Sequence, residues 1–244
     1  QAVLSKEVTF KGNYDPLTLY RALRLINPSP YMFYMSFDKF NVIGASPEIL
    51  VQQQNDKVTI RPIAGTRKRG PNDSEDLANK IDLLQDDKEK AEHMMLVDLA
   101  RNDLSKVSET GTVQVDEMMV IEKYSHVMHM TSNVIGEKKP SVTSVDCLKA
   151  ALPAGTLSGA PKIRAMEILS AHENRIRGIY GGSVGYIGFN GTLDTAIVIR
   201  TAIHTKDSVK VGVGGGIVYD SIPKNEWHET ESKLAVFREA LKYK

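Results

Sequence analysis

Apolar residues recur at spacings of three and four in two long stretches of the chain, and in both the stripe opens with acids. Over Asn225 to Leu241 (NEWHETESKLAVFREAL) a helix lines up Glu226, Glu229, Lys233, Val236, Phe237 and Ala240. A second helical region, residues 74 to 104 with Ser74 as its N-cap, lines up Glu89, Glu92, Leu96, Leu99 and Asp103, with His93 and Ala100 alongside. A carboxylate that continues a core-facing stripe points into the interior or a cleft. There a lone charge is costly and calls for a cation or a proton.

The remaining pattern alternates between periods of two and 3.6. Residues 1 to 12 read as a strand. The stretch DPLTLYRALRLIN reads as a helix with Asp15 as N-cap, Pro16 in its first turn and Leu17, Tyr20, Leu23 and Leu25 as its apolar set. The segments YMFYMSF and FNVIGAS form a hairpin around Asp38-Lys39, and two more strands follow across Asn55-Asp56. Residues 112 to 135 predict strands holding Tyr124, His126 and His129. A helix at 143 to 152, a loop from Pro153 to Gly159 and a helix from Pro161 to His172 come next. From Gly178 on the pattern is an antiparallel meander, with a hairpin at Asn190-Gly191 and the continuous strand DTAIVIRTAIH. Strands and helices come in blocks rather than as repeated βαβ units, which predicts an α+β fold with packed antiparallel sheets.

At 244 residues and 41% hydrophobic content the chain can bury a substantial core. Its 31 basic and 30 acidic residues leave a formal charge of +1, so no global field recruits nucleic acid or an anionic membrane. A single cysteine, Cys147, excludes an internal disulfide, fits a reducing cytoplasm and reads as a buried thiol. No apolar run reaches the length of a membrane-spanning helix, and no signal peptide pattern is present. The chain opens inside a strand without a methionine, which predicts a piece of something longer.

Four constellations carry candidate chemistry. The two E-x-x-E pairs place carboxylates on one helix face each, which suits a hard cation such as Mg²⁺ as well as an ordinary solvated face. The segment LPAGTLSGAPKIRAMEIL offers Thr156, Ser158 and a helix start to an anion, or is a plainly capped helix; its spacing is not that of a Walker loop. Gly212, Gly214, Gly215 and Gly216 inside a strand mean close approach of the backbone to a neighbouring strand or a ligand. Arg200, alternating with Ala196, Val198 and Ala202, rises among small side chains, a setting for carboxylate binding or for a partly buried ion pair.

Four longer motifs go beyond generic chemistry: PIAGTRKRG (62 to 70), DLARNDL (98 to 104), LPAGTLSGAPK (152 to 162) and GIVYDSIP (217 to 224). Together they resemble the chorismate-binding enzymes, and specifically the catalytic region of the anthranilate synthase component I group, over essentially the whole chain. The resemblance implies an α+β fold of two stacked antiparallel sheets with helices outside and the active site in the cleft between them. Residues 1 to 244 would form one catalytic domain, a C-terminal piece that lacks the family's N-terminal region. The implied reaction converts chorismate and ammonia to anthranilate and pyruvate with Mg²⁺, in the cytoplasm, the ammonia coming from a glutamine amidotransferase subunit.

By matching position, the resemblance makes Glu92 and Glu229 the metal-facing acids, with Glu89 and Glu226 behind them. It makes Glu48, in SPE, the general acid for the departing hydroxyl and His129 the histidine of pyruvate elimination, while His126 has no matching role. Arg200 and Tyr180, with the amides of Gly214, Gly215 and Gly216, form the clamp on the enolpyruvyl carboxylate. Thr66, Thr156 and Lys233 resemble other substrate contacts. Gln1 stands at the catalytic position where hydrolytic relatives carry a lysine that activates water. Ala64 stands where aminodeoxychorismate synthases carry a nucleophilic lysine; an amide and a methyl group have neither chemistry. Asn27, Pro30, Tyr31 and Met32 resemble half of a tryptophan feedback site whose other half lies in the missing region. Gly215 and Tyr219 depart from a common alanine. The competing expectations are an aminodeoxychorismate synthase component I, whose product keeps the pyruvyl group, and a non-catalytic module that senses tryptophan.

Overall fold

The computed structural model describes residues 1–124 and 127–243, so His126 lies outside the described residues. In chain order the elements are β1 (Ala2–Lys11), α1 (Pro16–Ile26), β2 (Tyr31–Ser36), β3 (Asn41–Ser46), β4 (Ile49–Gln54), β5 (Lys57–Ile60), β6 (Ile63–Lys68), α2 (Asp73–Gln85) and α3 (Asp87–Val107). They continue with β7 (Gln114–Lys123), β8 (Val127–Glu137), α4 (Ser144–Ala151), α5 (Gly155–Ser158), α6 (Lys162–His172), β9 (Ser183–Ile187), β10 (Leu193–Ile197), β11 (Thr201–Thr205), β12 (Ser208–Ile217) and α7 (Pro223–Ala240). The chain forms two compact units, one of Gln1–Glu48, Thr156–Val184 and Ala196–Lys244, the other of Ile49–Gly155 and Gly185–Thr195. No helix of the described residues is long and apolar enough to cross a membrane.

The first unit is built on a five-stranded sheet of order β1-β12-β11-β3-β2. Its pairs are antiparallel, with β1 lying along all of β12 from Ala2↔Ile217 to Lys11↔Ser208. Alternation along β12 turns Val209, Val211 and Val213 to one face, where Leu19, Ala22 and Leu23 of α1 and Leu234, Phe237 and Ala240 of α7 complete a core. Each large side chain fully buried there contributes about 1.5–3 kcal/mol. Asp15 caps α1 as the sequence predicts, its carboxylate accepting from the Thr18 amide at 2.6 Å. The apolar set of that helix differs from the expected one, since Leu17 and Leu25 are 50% and 75% exposed. Leu19, Ala22 and Leu23 share the inward face because three- and four-residue steps, not the mere presence of leucine, define a helix side.

The second unit holds a seven-stranded sheet of order β6-β8-β5-β4-β10-β9 with β7 on β8. Leu83 of α2 packs on Met128 and Met130 of β8 beneath it. The single helix expected over 74 to 104 is two. Asn72, not Ser74, caps α2, accepting from the Glu75 amide at 3.0 Å. Asp86 then ends α2 and starts α3: its amide donates to Asp82 O at 3.1 Å, and its carboxylate accepts from the Lys88 and Glu89 amides at 3.0 and 3.1 Å. An aspartate that satisfies the open amides of a new helix competes with continuation of the old one.

Three further expectations are corrected. The loop from Pro153 to Gly159 contains the short helix α5. The Asn190-Gly191 hairpin is a longer turn over residues 188–192, closed by Gly188 N–H to Thr192 O at 2.8 Å, because Asn190 Oδ1 takes the Thr192 hydroxyl at 2.8 Å. The strand DTAIVIRTAIH is broken into β10 and β11, which belong to different sheets, with Arg200 at φ 49° in the break. Arg200 therefore does not alternate with Ala196 and Val198 on a strand face.

Candidate active site

In the first unit the functional side chains gather where two connecting segments run side by side. Pro47 and Glu48 follow β3, and residues 198–200 precede β11. Ser46 Oγ donates to Ile197 O at 2.7 Å, Ile197 N–H to Glu48 O at 3.0 Å, and Ala45 N–H to Arg200 O at 3.0 Å. These bonds hold Arg200 in a left-handed conformation that costs a bulky residue on the order of 1 kcal/mol, the kind of strain that persists where surroundings fix a functional group. Burial pushes the Arg200 guanidinium down, opposed by the neighbouring Tyr180, Glu229 and Glu48.

Glu48 is 8% exposed, and its Oε1 accepts from the Thr156 hydroxyl at 2.8 Å. Burial pushes its carboxyl up to about 7, against that hydrogen bond and the charges of Lys233 and Arg200. A carboxyl half protonated near neutrality is equipped to donate a proton. Thr156 thus engages an acid from α5.

Tyr180 lies on the 178–182 turn, tied to the Arg200 segment by Gly181 N–H to Val198 O and Val198 N–H to Gly182 O, both at 2.9 Å. Burial raises its phenol above the usual range. A Cβ at Gly214 would stand 2.7 Å from the Tyr180 hydroxyl, so only glycine lets the ring lie on β12. Beside β11 the register of β12 ends at Ala202↔Val211, whereas β1 continues to Ala2↔Ile217. Alternate amides of Gly214 to Gly216 therefore face an edge that β11 does not reach. Lys233 Nζ reaches that edge, donating to Gly214 O at 2.8 Å and to Glu229 Oε1 at 2.6 Å. Gln1, whose backbone pairs with Ala160 through two 3.1 Å bonds, brings its side chain against Gly216.

Glu226 and Glu229 of α7 converge over Gly215, where a Cβ would lie 3.7 Å from Glu226 Oε2 and 3.9 Å from Glu229 Oε1. Asn27 ends α1 through its amide on Leu23 O at 2.8 Å, and Tyr31 and Met32 open β2 opposite Ser46 and Ala45, with Pro30 just before them.

In the second unit a bulge between Ala64 and Thr66 is the hub. Gly65, at φ 69°, lies so close to α3 that a Cβ there would stand 3.2 Å from Glu89 Oε2. On its other side the Gly65 carbonyl faces His129 Nδ1 at 3.2 Å, and Thr66 Oγ1 lies 3.0 Å from the same nitrogen. Burial, then the neighbouring Glu92, raise the Glu89 carboxyl, and Arg67 opposes both. The Arg67 guanidinium reaches Asp82 at 2.5 Å, Asp86 at 2.7 Å and Glu89 at 3.5 Å. Reading by pattern missed this residue; its signal was the basic run from Arg67 to Arg69 directly after Thr66. Cys147 is buried, which pushes its thiol up and leaves it poorly nucleophilic.

Among the described residues no three or more His, Cys, Asp or Glu side chains are grouped to hold a metal ion. Each acid pair offers two carboxylates beside a cationic side chain, a donor set that fits Mg²⁺, which keeps waters and accepts one or two carboxylates.

Comparison with known proteins gives this arrangement its context. Residues 1–239 match the chorismate binding enzyme family. The chain is 54% identical over 243 residues to "Anthranilate synthase component 1" of Aquifex aeolicus, covering 99% of this chain and 49% of that protein. It is 56% identical over 241 residues to the protein of the same name from Neisseria meningitidis serogroup A, covering 98% and 49%. Among solved structures it superposes on anthranilate synthase component I from Streptococcus pneumoniae with a TM-score of 0.90 at 47% identity, covering 97% of this chain and 53% of that one. The menaquinone-specific isochorismate synthase from Escherichia coli gives 0.89 at 26% identity, covering 98% and 56%. The chain spans about half the length of the curated relatives it matches. The α+β fold with two antiparallel sheets agrees with the expectation from the motifs, and the chain belongs to the chorismate-binding enzyme family.

Proposed function

We propose that this chain is the chorismate-converting part of an anthranilate synthase component I, acting in the cytoplasm at the entry to tryptophan synthesis. A glutamine amidotransferase partner supplies its ammonia. The observation that carries the reading is Glu48: a buried carboxyl poised near 7, held by Thr156, with Arg200 and Lys233 near enough to shift it.

Arg200, Tyr180 and the edge-facing amides among Gly214 to Gly216 take the enolpyruvyl carboxylate, with Thr66 as a further contact and Gln1 too weak a base to activate water. Ammonia forms a bond to C2 of the ring and gives up a proton, both ring double bonds shift by one position, and the C4–O bond breaks; Glu48 gives the departing oxygen its proton, so that it leaves as water. His129 serves the second half, in which the C2 proton is removed, the enolpyruvyl C–O bond breaks and the ring becomes aromatic. Glu92 and Glu229, backed by Glu89 and Glu226, would hold Mg²⁺, which when bound neutralises the ring carboxylate. Ala64 favours anthranilate over aminodeoxychorismate, because a methyl group cannot act as a nucleophile.

The test gives the chain chorismate, Mg²⁺ and ammonium at mildly alkaline pH and follows anthranilate fluorescence and pyruvate release, with chorismate binding measured by calorimetry in parallel. The expected result is anthranilate with equimolar pyruvate, and binding that Arg200→Ala abolishes. A product that retains the pyruvyl group, or chorismate binding indifferent to Arg200→Ala, overturns the reading. Tryptophan contact at Asn27, Pro30, Tyr31 and Met32 belongs to the same proposal. Tryptophan binding without any chorismate binding would replace it with a sensing module.

A further inference from the structure

His129 sits in the middle of three strands, with Thr66 of β6 directly opposite on one side and Glu122 of β7 directly opposite on the other. A ring nitrogen at this position has two neighbours that differ in one decisive respect. The Thr66 hydroxyl, 3.0 Å from Nδ1, can donate or accept, whereas the Gly65 carbonyl, 3.2 Å from the same nitrogen, can only accept. A bare Nδ1 would place its lone pair against the carbonyl oxygen. A protonated Nδ1 donates to both oxygens, and the neutral ring then carries its lone pair on Nε2.

The plane of the ring is set separately. Tyr124 meets it edge to face, with centroids 5.6 Å apart and planes at 63°. The Tyr124 hydroxyl donates to Glu122 Oε2 at 2.8 Å. Glu122 Oε1 is held by Arg61 Nη2, and Arg61 Nη1 also takes Glu117 Oε2 at 2.9 Å. The tyrosine thus cannot rotate without breaking a bond to a carboxylate that an arginine already fixes. Nothing in a linear reading links Arg61, Glu122 and Tyr124 to His129; the β7/β8 register does, by setting Glu122 opposite the histidine with Tyr124 two residues on.

We propose that Arg61, Glu122 and Tyr124 are positioning residues that, with the Gly65 carbonyl, hold His129 as the Nδ1–H tautomer and present Nε2 as its proton-accepting atom. The step served rests on the reading of His129 in pyruvate elimination. There the Nε2 lone pair takes the ring proton from the carbon bearing the new nitrogen, the electrons of that C–H bond complete the aromatic ring, and the enolpyruvyl oxygen leaves with the C–O pair. The tautomer itself does not depend on that reading, so the two can fail separately.

The test is nitrogen-15 spectroscopy of the His129 imidazole in the chain, assigned by its loss in His129→Asn, at a pH where the ring is neutral. The expected wild-type spectrum has a protonated, pyrrole-like Nδ1 and a pyridine-like Nε2. Thr66→Val should leave it unchanged, since the carbonyl remains. Tyr124→Phe should shift both nitrogens toward the tautomer average, and so should Glu122→Leu. Glu122→Gln, which keeps an acceptor for the Tyr124 hydroxyl, should restore the wild-type pattern if that variant replaces Glu122→Leu. A pyridine-like Nδ1 in the wild type overturns the tautomer assignment. Wild-type spectra in both Tyr124→Phe and Glu122→Leu overturn the positioning chain. A correct spectrum in a protein that forms no pyruvate from chorismate overturns the step while leaving the tautomer standing.

Discussion

The two E-x-x-E helices carry the same motif and solve its electrostatic problem in opposite ways. On α7 the answer is local: Lys233, one turn beyond Glu229, places its ammonium 2.6 Å from that carboxylate, and Glu229 stays 51% exposed. On α3 the answer comes from elsewhere in the chain. Glu89 is 27% exposed and faces Arg67 of β6, which also gathers the aspartate that caps the helix. A helix-surface pair at i, i+4 stabilises by a few tenths of a kcal/mol and is readable from spacing. A counter-ion supplied by a bulged strand is not readable, and more of the structure depends on it. Glu48 is the limiting case, an acid whose burial is answered largely by a proton.

The comparison can be broken at several levels. The largest effect is expected from Glu92→Ala and Glu229→Ala, each lowering Mg²⁺-dependent turnover of chorismate by at least about a hundredfold and weakening Mn²⁺ binding measured by electron paramagnetic resonance. If one substitution leaves both intact, the two pairs are not equivalent in function. Glu48→Gln should lower kcat by a similar or larger factor, roughly 10²–10⁴, with substrate binding preserved in calorimetry.

The pH dependence of stability separates Glu48 from the pairs. Its folded value, about 7, lies above the ordinary 4.5 of the unfolded chain. The folded protein therefore keeps a proton the unfolded chain has released. That stabilisation is complete below pH 4.5 and is lost as pH rises through 7, by at most about 3 kcal/mol. Urea unfolding between pH 5 and pH 8 should show this loss in the wild type and a flatter profile in Glu48→Gln.

The smallest effects test the counter-ions themselves. Arg67→Met leaves three carboxylates without their shared cation and should lower the urea midpoint by an amount worth about 1–2 kcal/mol. Lys233→Met, which removes the partner of the half-exposed Glu229 and one hydrogen bond to Gly214 O, should cost less, about 0.5–1 kcal/mol in the same measurement. Equal losses would erase the distinction between local and tertiary neutralisation.

Much of the fold was legible because periodicity and caps act locally. Asp15 and Pro16 announced α1, the Asp38-Lys39 and Asn55-Asp56 turns announced their hairpins, and the acid stripes announced α3 and α7. What escaped was set by competition between neighbours. Asp86 could cap a helix or continue one, and an apolar run from Ala196 to Ala202 could be one strand or a strand crossing sheets. The site was legible only as motifs. Glu48 reads as a charge at a strand edge until Thr156, more than a hundred residues on, is folded against it. His129 gives no hint of its partners until the β6/β8/β7 register sets Thr66 and Glu122 on either side of it.

The interleaving of the two units along the sequence has a consequence for how such a chain can be divided. The first unit is assembled from three separated stretches and the second from two. A translation stop after Gly155 would leave the first unit with only its opening 48 residues, without β11, β12 or α7. Neither unit can be excised, duplicated or moved to another gene as one contiguous cassette. Recombination can only inherit the pair together.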